Sequence, residues 1–541
     1  MKDKYCCSCD LNFRGKWRLE QMKSIKLKST ALIVMSSIVL SRLTGFLREI
    51  LIPNVFESSK ADAYNMAFKL TGLMYDMMVG GAIAAALIPV LSGYLAKNEE
   101  EEGWKAAGTF INVIVIAAAV ACTAGMIFTK QVVGVLALGF KGEVTQDTVE
   151  VARILFPSVT FLMMAGLING VLNSYNRFAA AAYGPSIYNI GSALSILLLG
   201  RYGITHAACG VMASAVIYFI FQLCFAFRNL KHYRFKIYLR HPGFVRLFKL
   251  AIPSLLSSSI TQVNVIVSLT LVSFFPEGSI TAFNMADRIW QMPYGVFAQG
   301  MGIAMLPSLS AELATGHVQE YKDTLLKGLK TVIFLTIPSA IGFLVLRTQI
   351  ISAFKFTGVF DDYYIKIAGE ILMFFSIALI SQSLVTVLNR SYYANNDTKT
   401  PLYIGSTAIL INICLGILFL KKTSLGAAGM ALSYSIASII NATLLITILN
   451  YKMKGIHLKK LAAFALKTLT AAVIMGTVVY LATMAPVNTY SKVVQLAFLL
   501  FEIGLGFIIY FAIAIIIGIE EAKTIKNNIC NKMYNMIKYS K

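Results

Sequence analysis

Apolar runs long enough to cross a bilayer recur along the whole chain. A helix of about 20 apolar residues spans the roughly 30 Å hydrocarbon core of a membrane. With 57% hydrophobic and 14% charged residues, a chain of 541 residues has too little polar surface for a soluble protein. The sequence therefore predicts an all-α integral membrane protein with about fourteen transmembrane helices. The predicted spans are 30–55, 63–95, 105–129, 150–173, 184–203, 205–227, 247–275, 280–312, 325–348, 364–388, 401–420, 425–449, 461–484 and 492–518.

Basic residues, which give the chain a formal net charge of +22, are concentrated in four segments. They lie before the first span (23–28), after the sixth (228–246), after the twelfth (451–460) and in the tail (523–541). Fourteen spans place all four segments on one side, and the positive-inside rule makes that side the cytoplasm, with both termini in it. This distribution favours membrane topology and binding of anionic lipids over binding of nucleic acid.

The chain contains an internal repeat. The segment PVLSGYLA at 89–96 matches PSLSAELA at 307–314, which lies 218 residues later. The segment AYNMAFKL at 63–70 matches AFNMADRI at 282–289 at an offset of 219. Six predicted spans separate equivalent points, so the two halves insert with the same orientation. The sequence therefore predicts two parallel six-helix repeats, or lobes, around a central cavity, plus two C-terminal helices.

The repeat also sets the expected domain boundaries. Met22 looks like a more natural start than Met1, so residues 1–21 are interpreted as preceding the native start. Two-lobed transporters hold their substrate near the midplane and rock the lobes for alternating access. The expected segments are a cytoplasmic N-terminal segment (1–29), an N-lobe with helices 1–6 (30–228), a basic cytoplasmic loop (229–246), a C-lobe with helices 7–12 (247–450), helices 13 and 14 (451–519) and a basic cytoplasmic tail (520–541).

Charged residues inside the predicted spans indicate an anionic ligand. Arg42 and Arg48 lie in the first span, where each guanidinium costs at least about 2.5 kcal/mol unless water or an anion compensates it. Lys69 and Arg288 occupy equivalent repeat positions, so each lobe carries a cation at the same point. Since a planar guanidinium donates two parallel hydrogen bonds to a phosphate, we predict that this set binds phosphate groups.

Acidic and amide side chains near these cations are expected to support the cavity. The carboxylates would neutralise the arginines in the empty state, and the two asparagines occupy equivalent repeat positions. Three structural alternatives stay open: Arg42 pairs with a carboxylate, Lys69 snorkels to the outer interface, and Arg288 is only an interfacial charge. The supporting residues are Glu49, Asn65, Asp76, Asn284 and Asp287, with Asp62 as a further acidic neighbour.

Other classes of function are less consistent with the sequence. A multidrug exporter for cationic drugs would be dominated by buried carboxylates, whereas arginines dominate the first lobe here. The five histidines show no metal-ligand spacing, and no nucleophile constellation is visible, so neither an enzyme nor a metal site is expected. Cysteines in the apolar spans are interpreted as small core residues. The spacing of the N-terminal CCSC cluster does not match a known zinc-binding motif. A membrane scaffold stays possible and predicts that the arginines are dispensable.

Five segments carry a family-level pattern: SRLTGFLREILI (41–52), ADAYNMAFKL (61–70), LNSYNRFAAAAYGPSIYNI (172–190), ADRIWQMPYGVFAQGMGIAMLPSLS (286–310) and NDTKTP (396–401). Through them the chain resembles the MurJ (MviN) family of lipid II flippases. That family belongs to the multidrug, oligosaccharidyl-lipid and polysaccharide exporter superfamily. The resemblance implies a cationic cavity for the diphosphate head group and a groove at the last two helices for the undecaprenyl tail.

Residue by residue, the resemblance assigns the substrate site to Arg42, Arg48, Asp62 and Arg288 of this chain. It fails at one place in the second helix. Where many relatives have an arginine pair, then a glutamate and a glycine, this chain has Tyr75, Asp76 and Gly80. That difference removes a cation from the expected cavity.

The resemblance implies a flippase that moves lipid II from the inner to the outer leaflet of the bacterial cytoplasmic membrane, in peptidoglycan synthesis and cell-shape maintenance. The alternatives are a flippase for another lipid-linked oligosaccharide and an ion-coupled multidrug exporter. No cofactor is expected, and coupling to the membrane potential or to a monovalent cation is left open. Spans 247–275 and 401–420 lack acidic residues, so a sodium site is not expected there. The expected partners are the lipid-linked glycan, membrane lipids and wall-synthesis proteins.

Overall fold

The computed structural model of the protein describes residues 36–37, 39–79, 86–356, 362–484, 491–524 and 526–527. Three features discussed above lie outside the described residues. They are the N-terminal segment 1–29 with its cysteine cluster, Gly80 of the second helix and most of the basic tail.

Every regular element in the described part of the chain is a helix. A π-helical segment, Tyr294–Gln299, joins α10 to α11 without a break. The helices are α1 (39–55), α2 (Ser58–Val79), α3 (Ile88–Ala96), α4 (Glu100–Ile127), α5 (Thr129–Leu136), α6 (Glu143–Ser174), α7 (Phe178–Leu199), α8 (Ile204–Ala226), α9 (Pro242–Val272), α10 (Ser279–Pro293), α11 (Gly300–Ala314), α12 (Val318–Ala353), α13 (Asp362–Ala394), α14 (Lys399–Lys422), α15 (Ala428–Lys452), α16 (Leu458–Thr483) and α17 (Lys492–Ile516).

These helices confirm the predicted all-α membrane fold. Each predicted span overlaps at least one helix, and nine helices within the described residues are long and apolar enough to cross a membrane. The count of fourteen spans stays a prediction. Two details differ from expectation. Residues 57–62, which lie between the first two predicted spans, are mostly the first turn of α2, and the short helix α5 follows α4 where no element was predicted.

The repeat is visible in local structure as well as in sequence. Helices α3 and α11 end at Ala96 and Ala314, and the next helices begin at Glu100 and Val318, 218 residues apart in both cases. Between them, Asn98 (φ 60°) and Gly316 (φ 77°) occupy the same repeat position in the left-handed region. Only glycine and, less readily, asparagine adopt that conformation at low cost. Both halves therefore reverse direction with the same turn.

The described residues form two compact units. The first contains the described residues up to Phe56, then Ala63–Leu136 and Lys141–Val263. Its main core joins α3, α4, α6 and the start of α9, with Trp104 and Phe110 almost completely buried. Helix α4 begins with three glutamates, 100–102, which suit the positive end of the helix dipole, and then runs into the membrane without charge after Lys105.

A basic extended segment, residues 230–241 before α9, is hydrogen-bonded to α4 within the first unit. The Asn112 side-chain amide donates a hydrogen bond to the Lys236 carbonyl oxygen at 3.1 Å, and the Tyr238 N–H donates one to Thr109 Oγ1 at 3.1 Å. Asn112 and Thr109 are themselves buried. Side chains of α4 thus satisfy the main chain of a loop that has no helical hydrogen bonds of its own.

The second unit contains Glu57–Asp62, Ala137–Phe140 and the described residues from Asn264 onward. Its largest core joins α11, α12, α13, α15, α16 and α17. Three aromatic side chains, Tyr321, Phe334 and Tyr392, are almost completely buried there. The Tyr392 hydroxyl donates to the Leu445 carbonyl oxygen at 2.9 Å, so that its polar group is satisfied inside the apolar core.

Candidate substrate-binding site

Arg48 is the most deeply buried of the predicted cations. It lies on α1 with 5% relative exposure. Its Nη2 is 2.8 Å from Oε1 of Glu49, which is also buried, and its guanidinium carbon is 4.0 Å from the centroid of the Phe68 ring on α2. A carboxylate and an aromatic face therefore compensate a charge that would otherwise be costly at membrane depth.

This environment leaves hydrogen-bonding capacity unused. Within the described residues, Arg48 Nε is buried without a hydrogen-bond partner, and so is the Tyr64 hydroxyl on α2, whose side chain is completely buried. Buried polar groups are nearly always paired, so these two groups are candidates for hydrogen bonds to a polar ligand. Glu49 neutralises Arg48 in this structure, and a phosphate that displaced Glu49 would find donors in place.

Arg42 lies six residues before Arg48 on α1 and is exposed, whereas Lys69, next to Phe68 on α2, is half-buried. Between the arginines, Gly45 lies against α7: a Cβ at this position would be 3.4 Å from Asn189 Nδ2. The same Asn189 amide donates to the Ser41 carbonyl oxygen at 3.1 Å. Gly45 therefore lies on the side of α1 that packs against Asn189 of α7.

Asp62, near the start of α2, is 2% exposed and accepts hydrogen bonds from the first turn of α10. One carboxylate oxygen accepts from the N–H groups of Gly278 at 2.8 Å and Ile280 at 3.4 Å. The other accepts from the Thr281 N–H at 2.8 Å and its hydroxyl at 2.6 Å. Asp62 is thus the N-terminal cap of α10, supplied by a distant part of the chain. Its contact with substrate stays a prediction.

The Asp62 cap fixes the start of α10, the helix that carries the predicted cation Arg288. Arg288 lies on α10 seven residues after Thr281 and is half-buried, and Asn284, one turn earlier, is buried. The neighbouring Asp287 accepts hydrogen bonds from Trp290 Nε1 at 3.0 Å and from Gln291 Nε2 at 2.7 Å. Asp287 is therefore held by its own helix.

Comparisons with known proteins agree on one family. The family model described as Lipid II flippase MurJ matches residues 54–501. The chain belongs to the MurJ family. It is 29% identical over 515 residues to the probable lipid II flippase MurJ of Rhizobium tropici, covering 91% of this chain and 94% of that protein. It is 27% identical over 432 residues to the lipid II flippase MurJ of Burkholderia cenocepacia, covering 77% and 82%.

Solved structures give the same result. A lipid II flippase MurJ in an inward closed conformation matches with a TM-score of 0.76 and 26% identity, covering 90% of this chain and 98% of that one. An inward-facing multidrug resistance transporter of the MATE family matches with a TM-score of 0.67 at 14% identity, over 79% and 98%. The second match shows a shared fold only. The resemblance to the MurJ family predicted from sequence is confirmed.

The structure also places the residues at which this chain departs from the MurJ pattern. Tyr75 packs beside the apolar cluster formed by Ala118, Cys122, Val159 and Met163. Asp76 accepts a hydrogen bond from Gln262 Nε2 at 3.2 Å. Tyr75 therefore contributes to the apolar packing of the first unit, and the amide partner of Asp76 is uncharged.

A neutral polar network lies in the second unit of this MurJ-family chain. Asn412 Nδ2 donates to Asn264 Oδ1 at 2.7 Å, and Ser433 Oγ donates to Asn412 Oδ1 at 2.8 Å. These hydrogen bonds pair amide and hydroxyl groups directly with one another. Within the described residues, no group of three or more His, Cys, Asp or Glu side chains has the arrangement of a metal site.

Sequence reasoning missed three residues of interest. Phe68 supports Arg48, and Thr281 binds Asp62, but neither residue type stands out in an apolar span. Glu502, on α17, is a buried carboxyl group that was not singled out. Its signal was visible: it is the only charged residue in the stretch 493–518.

Proposed function

We propose that this protein moves lipid II, an undecaprenyl-diphosphate-linked peptidoglycan precursor, from the inner to the outer leaflet of the bacterial cytoplasmic membrane by alternating access. The observation that carries the proposal is the environment of Arg48. A guanidinium with an unpaired donor is buried inside a membrane helix of a MurJ-family chain. A diphosphate is the ligand that such a group suits best.

The physical barrier is the head group. An ionised diphosphate cannot cross hydrocarbon without losing its hydration, which costs far more than thermal energy supplies. Arg48 and Tyr64 offer donors that replace water, and Arg42, Lys69 and Arg288 are the other predicted phosphate-binding cations. When the cell interior is negative, outward movement of each net negative charge is favoured by about 2.3 kcal/mol per 100 mV. The membrane potential could therefore drive the loaded step.

The protein would act as a multi-pass transporter without making or breaking covalent bonds. Both termini would lie in the cytoplasm, as the basic loops predict. Lipid II and the surrounding lipids would be its direct partners, and enzymes of wall synthesis would supply and consume its cargo. Resetting would not depend on sodium, because predicted spans 247–275 and 401–420 carry no acidic side chain.

The test is complementation in bacterial cells depleted of their own lipid II flippase. An externally added enzyme that cleaves only outward-facing lipid II would report the flipped fraction. We expect the wild-type protein to restore external cleavage, and Arg48→Ala and Arg288→Ala to fail although they are present in the membrane. Arg201→Ala is the matched control, because Arg201 is an exposed arginine that packs on the Tyr202 ring.

Full activity of Arg48→Ala would contradict the proposed site. Failure of the wild-type chain to restore external cleavage, when the protein is inserted and abundant, would contradict lipid II as the cargo. The same membranes would then be assayed with other undecaprenyl-diphosphate glycans. The departure at Tyr75 and Asp76 makes these glycans the second candidate substrates.

A further inference from the structure

A carboxyl group lies near the middle of α17, one of the apolar helices long enough to span the membrane. Glu502 is ten residues from the start of this 25-residue helix, and its relative exposure is 1%. It therefore faces protein, not lipid. Ionisable residues inside membrane spans are costly, and they commonly take part in function.

Neither carboxyl oxygen of Glu502 has a hydrogen-bond partner within the described residues. An ionised carboxylate in this position would have lost its hydration without gaining a donor or a cation in return. The neutral, protonated form avoids that cost. Because Glu502 is buried without a charged partner in the described part of the chain, its protonated, neutral form is favoured in this structure.

A small polar cavity adjoins this carboxyl group. It has a volume of ≈ 40 Å³, and Gln349, Ser352 and Gln495 line it together with Glu502 and apolar side chains. That volume has room for about three water molecules. Two amides and a hydroxyl can hold such waters in a hydrogen-bonded chain, which is the requirement for moving a proton.

The cavity lies toward the end of α17 where the chain leaves the predicted outer connection. Lys492, at the first position of α17, donates a hydrogen bond to the Ser352 carbonyl oxygen. Lys355, directly after α12, acts electrostatically on Lys492 and is itself paired with Asp362 at 3.1 Å. On α16, the described residues Met475 and Val479 that approach Gly506 of α17 carry no titratable group. These charged groups all lie at the predicted outer end of the cavity.

We propose that Glu502 is an exchangeable proton-binding site that fills from the outer side of the membrane through this cavity. A proton passes from cavity water to a Glu502 oxygen, which becomes a neutral carboxylic acid, and the reverse transfer restores the carboxylate. The rate of lipid II flipping then responds to the outer pH through this one group. The dependence on flipping rests on the proposed function, whereas proton binding does not.

Proton binding is tested first, on the full chain reconstituted in lipid nanodiscs. Infrared difference spectra between high and low pH report the C=O stretch of a protonated carboxyl group. We expect wild type to show a band that Glu502→Gln lacks and that Glu502→Asp shifts. Glu520→Gln is the matched control, since Glu520 is an exposed glutamate beyond the end of α17, and it is expected to keep the band.

Flipping is then measured in proteoliposomes while only the outer pH is varied. We expect the wild-type rate to change several-fold and the Glu502→Gln rate to stay flat. A Glu502→Gln protein with the wild-type band and the wild-type pH profile would overturn the proposal. If Glu502→Gln does not fold, the Glu502→Asp variant is measured in its place. An unshifted C=O band in Glu502→Asp would overturn the proposed proton-binding site. Absence of lipid II flipping by the wild type, with the band present, would overturn the proposed function and leave the proton site standing.

Discussion

Removing the Asp62 carboxylate should destabilise α10 by an amount that the hydrogen bonds around it define. Asp62→Ala would leave three backbone N–H groups and the Thr281 hydroxyl without their acceptor, in a place where the carboxylate is 2% exposed. Each unpaired buried group costs about 1–3 kcal/mol. Partial rehydration of the helix end reduces the sum, so we expect a loss of about 3–5 kcal/mol in the free energy of unfolding. Asp62→Asn keeps one acceptor but loses the charge, and we expect it to cost about 1–3 kcal/mol.

The assay is equilibrium unfolding of the purified protein in mixed micelles titrated with denaturing detergent. Thr281→Val is the partner variant, because it removes the hydroxyl and keeps the side-chain shape. In a double-mutant cycle with Asp62→Ala, the two changes should be less than additive, with a coupling of about 1 kcal/mol. Strictly additive effects, or an Asp62→Asn protein as stable as wild type, would refute the conclusion that this carboxylate holds the start of α10. Since Arg288 follows Thr281 by two turns, the destabilised variants should also flip lipid II more slowly.

Three further predictions follow from other contacts. Arg48→Lys keeps the positive charge but removes the planar guanidinium, so we expect complementation to fall at least tenfold while the amount of protein in the membrane is unchanged. Growth equal to that of the wild type would contradict a bidentate contact between Arg48 and phosphate. Burial raises the pKa of Asp397, but hydrogen bonds from Lys452 and Thr400 outweigh it and lower the pKa to about 2. Asp397→Asn should therefore reduce stability by about 1 kcal/mol at neutral pH, and thermal unfolding should show the difference vanish as the pH falls from about 4 toward 2. Replacing sodium by potassium should leave the flipping rate in proteoliposomes unchanged, because spans 247–275 and 401–420 carry no carboxylate that could hold sodium. A several-fold decrease would contradict the proposed sodium-independent resetting step.

The fold was largely predictable because its causes are local or periodic. Apolar runs fix where membrane helices form, and the repeated turn at Asn98 and Gly316 could be located from the matching sequence directly before it, 89–96 and 307–314. The contacts of the site were not predictable in the same way. Asp62 and Thr281 are separated by 219 residues, the offset of the repeat itself, but equivalent positions in a repeat are not thereby predicted to be in contact.

Helical geometry alone does not predict the contacts of Arg48 on α1. Residues seven apart share a helix face, as Arg42 and Glu49 do, and this spacing says nothing of Arg48. The structure pairs Glu49 with Arg48, although adjacent residues on a helix do not normally face each other. The long arginine side chain turns toward the same side as Glu49 because it packs over Phe68. Packing against a second helix decided the geometry, and that information is not present in the sequence of α1.

The bond between the basic extended segment and α4 has a consequence for biosynthesis. Asn112 enters the membrane with α4, but its acceptor on Lys236 is 124 residues further along the chain. At roughly 5–20 residues per second, the ribosome takes about 6–25 s to deliver it. Throughout that interval a buried amide waits near the membrane boundary without its native partner. The first unit can thus complete its packing only after α8 has been made and the segment that follows it has reached α4.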